Sequence, residues 1–325
     1  MTGRANGVSC PLVERASLGS HLAPLLTSHQ RALKHGLEAL LRQTDPEEWL
    51  ARDPIRFCHR YQQSEDIEVA GAIAAALSFG RVGSFLPVID TILNEADEWG
   101  GPFQWATTIA PDRAKNTLSL QYRWTTGLHI AVFVDAIGQT LVHHKSLKQA
   151  FMGSTDPSQA SAKEILEAGV GTIRDHAKSQ WLHWNPSLTT TLPRGLGHLL
   201  PLPSKGSACK RWNMFLRWMC RSSATPNVAD GIDLGIWGFP PSRLIIPLDT
   251  HVIGLAGLLG FSNRTDGSWR TASEITRNLS NLCPEDPVRY DFALAHLGMS
   301  DRCQKRHVAE LCGSCPLQSV CRVGT

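Results

Sequence analysis

No stretch of this 325-residue chain approaches the roughly 20 apolar residues needed to cross a bilayer. The first 19 residues lack the apolar core of a signal peptide. Both absences argue against a membrane-spanning helix or export, and the expected location is the cytoplasm. Tyrosine is scarce, three residues against ten tryptophans. Internal repeats and low-complexity tracts are missing, and segments with strand-like alternation are few. Neither sign of charge dominates. A net charge of +3 permits an acidic partner such as nucleic acid without demanding one.

What is present is a globular composition, 42% hydrophobic and 19% charged. The length suits one large domain or two modest ones. We expect a lead-in over residues 1–19, a helical domain over 20–300 and a cysteine-bearing loop over 301–325. Helical periodicity runs through 21–41, 65–79, 84–99, 128–143, 161–177, 252–259, 272–282 and 286–297. Asp45-Pro46-Glu47-Glu48 and Asp53-Pro54 each place a proline in the first turn of a short helix. The sequence therefore predicts an all-α fold with short Gly- and Pro-bearing loops.

The stretch Pro247-Leu248-Asp249-Thr250-His251-Val252 organises the rest. An apolar run, Leu244-Ile245-Ile246, delivers the chain to it, and an amphipathic helix leaves from it toward Gly260. Asp249 stands where a buried segment ends and a helix begins, a place where first-turn amides and the helix dipole stabilise a carboxylate. Two readings fit: a helix cap, or a catalytic carboxylate kept ionised at the mouth of a cleft.

A second helix start lies at Ser204-Lys205-Gly206-Ser207-Ala208-Cys209-Lys210-Arg211. Gly206 suits a tight turn, Ser207 a cap, and a glycine turn before a helix presents amides to a phosphate. Lys210 and Arg211 sit in the first turn, where their charge opposes the dipole. That opposition points to an anion nearby, though a capped core helix with solvated cations fits equally. Arg217 and Arg221, four apart, would extend a basic face.

Other features carry weaker signals. Tyr122-Arg123-Trp124 reads as an arginine packed between rings, or as a stacking contact to nucleic acid. His143 and His144 point apart on a helix and do not suit a metal. Thr271 with Glu274 resembles a capping box. Asp286 reads as a cap and Asp291 as a surface charge.

Four of the nine cysteines crowd into the tail, at Cys303, Cys312, Cys315 and Cys321. In a cytosolic chain these are not expected to form disulfides. Four soft thiolate ligands in one short segment suit a [4Fe–4S] cluster or a zinc ion. Only one close pair is present, and the wider spacing of the other ligands suits the larger cluster. His307 lies inside the loop as a spare zinc ligand.

The order of these motifs resembles the helix-hairpin-helix DNA glycosylase superfamily, typified by endonuclease III. Within it, the chain is most similar to a bacterial family of conserved proteins of unknown function. That resemblance is carried by Gly206-Ser207-Ala208-Cys209-Lys210-Arg211, Phe215-Leu216-Arg217-Trp218-Met219, Pro247-Leu248-Asp249-Thr250-His251 and Asp286-Pro287-Val288-Arg289-Tyr290-Asp291-Phe292. Tyr122-Arg123 and Ser78-Phe79-Gly80-Arg81 extend it. The superfamily implies two helical subdomains flanking a cleft, a hairpin that grips the backbone of double-stranded DNA, and a base flipped into the cleft. It implies catalytic roles for Asp249, stabilising charge at the sugar, and for Lys210, attacking the anomeric carbon. It implies DNA contacts from Gly206, Ser207, Arg211, His251 and Arg123, and a wedge at Phe79 and Arg81. A cluster held by the four tail cysteines fits the same resemblance, and we expect a monomer associated with the nucleoid. Two departures stand out. The hairpin Leu-Pro-Gly-Val-Gly of endonuclease III reads Leu202-Pro203-Ser204-Lys205-Gly206 here, and Lys210 and Asp249 lie further apart in the chain than in those relatives.

Three functions are compatible with these residues: a glycosylase with or without lyase activity, a non-catalytic DNA-binding module, and a zinc-stabilised helical scaffold.

Overall fold

The computed structural model describes residues 26–43, 50–108, 111–153, 156, 159–184, 191–221 and 232–324. The lead-in at 1–19 and the short helix expected at Asp45-Pro46-Glu47-Glu48 lie outside these residues. The described chain is mostly helical, with a single two-stranded hairpin. No helix in it is long and apolar enough to cross a membrane.

The core forms around the alanine-rich helix Ser64–Leu77, whose residues from Ile67 onward are all buried. Small side chains let neighbours approach closely. The 3-10 helix Pro54–Arg60 and the helices Pro102–Thr108 and Lys210–Cys220 pack directly on it. Beside these, Gly127–His144 packs along Ala162–Trp184, with Leu147–Met152 against both. Four of the ten tryptophans (Trp105, Trp212, Trp218, Trp237) are fully buried. Phe151, Phe215, Trp212 and Trp237 form one ring cluster with centroids 5.2–5.8 Å apart.

Carboxylates from one helix secure the starts of others. Glu68 accepts the amides of Leu147 and Lys148 and the indole N–H of Trp237. Glu95 accepts the amides of Asn116 and Thr117 and the Thr117 hydroxyl. Asp66 accepts Phe103 N at 2.9 Å. Each satisfies helix-start amides that would otherwise lack a partner. Thr27 and Thr126 complete capping boxes with Gln30 and His129.

The C-terminal half adds Thr250–Leu258 packed on Asp291–Met299. The first helix, Ser28–Arg42, returns to this end of the molecule: Glu38 takes Arg289 in an ion pair and the Tyr290 hydroxyl at 2.8 Å.

Several local expectations need correcting. The helix expected from Asp286 begins at Asp291. Asp286 is buried and turned toward Arg221, 3.8 Å away, so it does not cap amides of its own segment. Asp291 is also buried, not a surface charge. Arg217 and Arg221 make no basic face. Both are buried and paired with Asp233, and Arg217 also meets Asp291 at 2.8 Å. The helix Trp269–Ser280 is capped by Ser268, not Thr271: the Ser268 hydroxyl accepts Thr271 N, and Ser268 also bridges to Ser207.

Candidate active site

Lys210 and Asp249, far apart in sequence, meet in space. Lys210 opens the helix Lys210–Cys220, and its Nζ lies 3.0 Å from Asp249 Oδ2. Asp249 is also the cap of Thr250–Leu258: its Oδ1 accepts His251 N and Val252 N, both at 2.9 Å. Cap and candidate catalytic group are thus the same carboxylate, with one oxygen serving each role. Burial opposes ionisation of Asp249. The Lys210 charge and the amides outweigh it and hold the carboxyl below its usual range.

The pair lies in the wall of a cavity of about 520 Å³. Phe85, Met214 and Phe292 make much of its surface apolar. Asp53 and His296 also line it, neither of which the sequence marked as a site residue. Burial and the nearby Arg217 and Arg52 charges push His296 down to about 4, so its ring is neutral at neutral pH. Val82 and Met299 line the cavity too and stay 38% and 48% exposed, an apolar lip.

Residues from three separate stretches converge at this rim. Phe79 stacks with Trp124 at 5.7 Å, tilts against Tyr122 at 4.8 Å and meets the edge of His198 at 4.7 Å. The Tyr122 hydroxyl donates to the carbonyl of Phe79. Arg123, at the tip of the hairpin Gln121–Tyr122/Thr125–Thr126 with φ 55°, lies over the Trp124 ring at 4.9 Å. Arg194 lies over the same ring at 5.1 Å. Arg81, Arg123 and Arg194 are all exposed. His198, missed in the sequence, has its Nε2 buried without a partner among the described residues. Burial and the charges of Arg211, Arg194 and Arg123 push it down to about 4.

Arg211 has a different place from the one expected. Its guanidinium is buried and donates to the carbonyls of Ala76 and His198, with Phe79 beneath it at 5.1 Å. It forms part of the cavity wall, committed to backbone oxygens, and is not presented to a phosphate. His251 likewise faces inward, its Nδ1 on the Gly298 carbonyl, which pins Thr250–Leu258 to Asp291–Met299.

The turn before Lys210 is tight, with Gly206 at φ 84°. Its amides are largely engaged inside the protein. Lys205 N and Gly206 N donate to Leu202 O and Pro203 O, Ala208 N to Gly267 O, and Ser204 N to Glu167. Ser207 accepts Cys209 N through its hydroxyl at 3.1 Å and does not cap the helix; the cap position is Cys209 at φ 47°. Two strand-like bonds, Trp269 N to Gly206 O and Ala208 N to Gly267 O, rivet the turn to the 266–269 loop and hold Ser207 extended. Beyond this seam lies a second cavity of about 760 Å³ lined by Lys163, Arg264, Arg270 and Arg277, with Asp266 and Glu274. The pairing of this loop with the turn had no sequence signal.

In the tail, Cys303, Cys312, Cys315 and Cys321 line one small cavity of about 30 Å³. Val308 N donates to Cys312 Sγ at 3.5 Å. Among the described residues, no group of three or more His, Cys, Asp and Glu side chains is gathered so as to hold a metal ion. His307 Nδ1 contacts Val323 O at 3.1 Å and is not grouped with the cysteines lining that cavity.

No curated protein and no solved structure matches this chain. A family match does exist. It spans residues 53–300, more than half of the sequence; it opens at Asp53 and closes at Ser300, both lining the cavity, and stops short of Cys303. The chain belongs to the family described as protein of unknown function (DUF2400).

Proposed function

We propose that this protein is a DNA glycosylase with associated lyase chemistry, acting on a base flipped out of duplex DNA. The observation that carries the reading is the Lys210–Asp249 contact of 3.0 Å in the wall of a largely apolar cavity. The cavity is in the size range of small-molecule pockets and suits a flat ring. An ammonium and a carboxylate at its wall suit attack on an anomeric carbon with charge stabilisation beside it. The resemblance to helix-hairpin-helix glycosylases points the same way.

In this reading the Lys210 ammonium gives a proton to solvent water, and the free amine attacks C1′ of the deoxyribose. The C1′–N bond breaks and its electron pair leaves with the base. The C1′–O4′ bond then breaks with its electron pair going to O4′, which takes a proton from the Lys210 nitrogen, and an iminium is left between Lys210 and the opened sugar. Asp249 stabilises positive charge at the sugar. The Phe79, Trp124 and His198 stack, with Arg81, Arg123 and Arg194 around it, meets the DNA at the rim. The turn at Gly206 offers few free amides, so backbone grip falls to these rim cations and to the Lys163, Arg270 and Arg277 groove.

The four tail cysteines suit a [4Fe–4S] cluster better than zinc. They line one cavity, and with one close pair and the other ligands spread along the chain their spacing suits the larger cluster. Such a cluster would tie the tail to the body as a structural clamp. A brown protein with bound iron is the expected preparation; a colourless one holding zinc would contradict the cluster.

A second reading has its own observation. Lys210 already sits in an ion pair, and a charged ammonium is no nucleophile. On that basis the chain would be a DNA-binding module without chemistry. Borohydride trapping on abasic-site duplex separates the two. The glycosylase–lyase reading predicts a covalent adduct from wild type and none from Lys210→Ala. Tight binding with no adduct from either favours the module.

A further inference from the structure

The cavity holds a second carboxylate that the reading above leaves idle. Asp53 starts the 3-10 helix Pro54–Arg60, and its Oδ1 accepts Ile55 N at 3.0 Å. Asp53 lines the same cavity as Lys210 and Asp249. Charged and titratable groups surround it from its own segment, which supplies Arg52 and Cys58, and from three other elements. The helix Lys210–Cys220 supplies Lys210 and Arg217. The segment 232–249 supplies Asp233 and Asp249. The helix Asp291–Met299 supplies Asp291 and His296.

Lys210 and Arg217, whose charges act on Asp53, already have acidic partners. Lys210 is paired with Asp249, and Arg217 with Asp233 and Asp291. Asp249 receives an ammonium and two amides, whereas Asp53 receives one amide. Burial therefore prevails at Asp53 and raises its carboxyl above the usual range, with Asp233 adding to the rise; Asp249 is held down. Two carboxylates of one cavity pushed in opposite directions divide into an ionised partner and a proton carrier. The two histidines lining the cavity, His198 and His296, are both pushed down to about 4, and their neutral rings at neutral pH have no proton to give as an acid.

We propose that Asp53 is the general acid that protonates the departing base. This rests on the glycosylase reading. As the C1′–N bond breaks, the electron pair goes to the base nitrogen, which takes the proton of the Asp53 carboxyl. C1′ gains its bond to the Lys210 nitrogen, and Asp53 is left as carboxylate until solvent reprotonates it. A base leaving as its neutral conjugate acid is a far better leaving group than an anion.

The test uses Asp53→Asn, since asparagine caps a helix start as well as aspartate and so preserves the local fold. Asp53→Glu is the conservative companion, and a thermal melt of each variant checks folding. Two rates are measured between about pH 5 and about pH 9 on duplex oligonucleotides. One is single-turnover base release from a panel carrying one oxidised pyrimidine, oxidised purine, uracil or alkylated purine. The other is borohydride trapping on a preformed abasic site, where no base remains to protonate. Wild-type base release should fall as pH rises through the Asp53 value. Asp53→Asn should lower base release by about 10²–10⁴-fold and abolish that limb. Its trapping should fall much less, and Asp53→Glu should restore part of base release. An active wild type whose Asp53→Asn variant keeps both rate and pH profile overturns the assignment alone. A wild type that neither releases a base nor traps a sugar overturns the assignment and the reading beneath it.

Discussion

Asp249 gives one oxygen to the start of its own helix and the other to Lys210. Oδ1 accepts His251 N and Val252 N, and Oδ2 lies 3.0 Å from the Lys210 Nζ. The cap fixes the carboxylate in position, and the cap's geometry is what aims the second oxygen at the ammonium.

This pairing has a pH signature. The Asp249 carboxyl is held below its usual value, so the stability it contributes is complete above about pH 4 and is lost as pH falls through the depressed native value. Asp249→Asn keeps the amide contacts and removes the charge. The pair is partly exposed, so the variant should lose about 1 kcal/mol or less at neutral pH, and the gap should narrow on acidification. Urea unfolding at a series of pH values measures this. A gap that widens toward acid would contradict it.

The buried ionic cluster should be far less tolerant. Arg221 reaches Asp233 Oδ2 at 2.6 Å and Val288 O at 3.1 Å, with Asp286 and Asp291 within 4 Å. Arg221→Met leaves these buried acids short of a cation and should destabilise by about 3–5 kcal/mol, read from chemical denaturation. A loss under about 1 kcal/mol would mean the acids are neutral or hydrated.

Helix contact in the core depends on a missing side chain. A Cβ on Gly138 would stand 1.8 Å from Ala106 O, whereas one on Gly171 would meet nothing within 4 Å. Gly138→Ala should cost about 1–3 kcal/mol or more through a backbone clash. Gly171→Ala should stabilise by about 0.5–1 kcal/mol through helix propensity. Melting curves of the two variants should shift in opposite directions.

The rim arginines predict a salt dependence. If Arg81 and Arg123 each meet a phosphate, Arg81→Gln and Arg123→Gln should each weaken duplex binding and lower the slope of log affinity against log salt by about 1. Unchanged slopes would remove the rim from the proposed DNA interface.

The sequence disclosed most of the helices, because apolar residues recurring every three to four positions are a local signal. It disclosed Asp249 as a cap for the same reason. It misjudged Arg217 and Arg221, whose four-residue spacing looks identical on a solvated face and in a core. What buries them is acid supplied by Asp233, Asp286 and Asp291, from segments with no local mark of the pairing. Asp286 then fails to start its helix because it is drawn toward Arg221. Asp53 stayed hidden behind its proline: Asp-Pro reads as a helix start, which it is, and nothing nearby reveals the cavity on its far side. Likewise, the stack of Phe79, Trp124 and His198 joins three stretches whose proximity exists only in the folded chain.

The most direct test is peptide mapping of a borohydride-trapped complex with abasic-site duplex by mass spectrometry. The account predicts a reduced sugar remnant on the peptide carrying Lys210, and on no other lysine. A remnant on a different lysine, or the absence of any covalent remnant from folded wild-type protein, would contradict it.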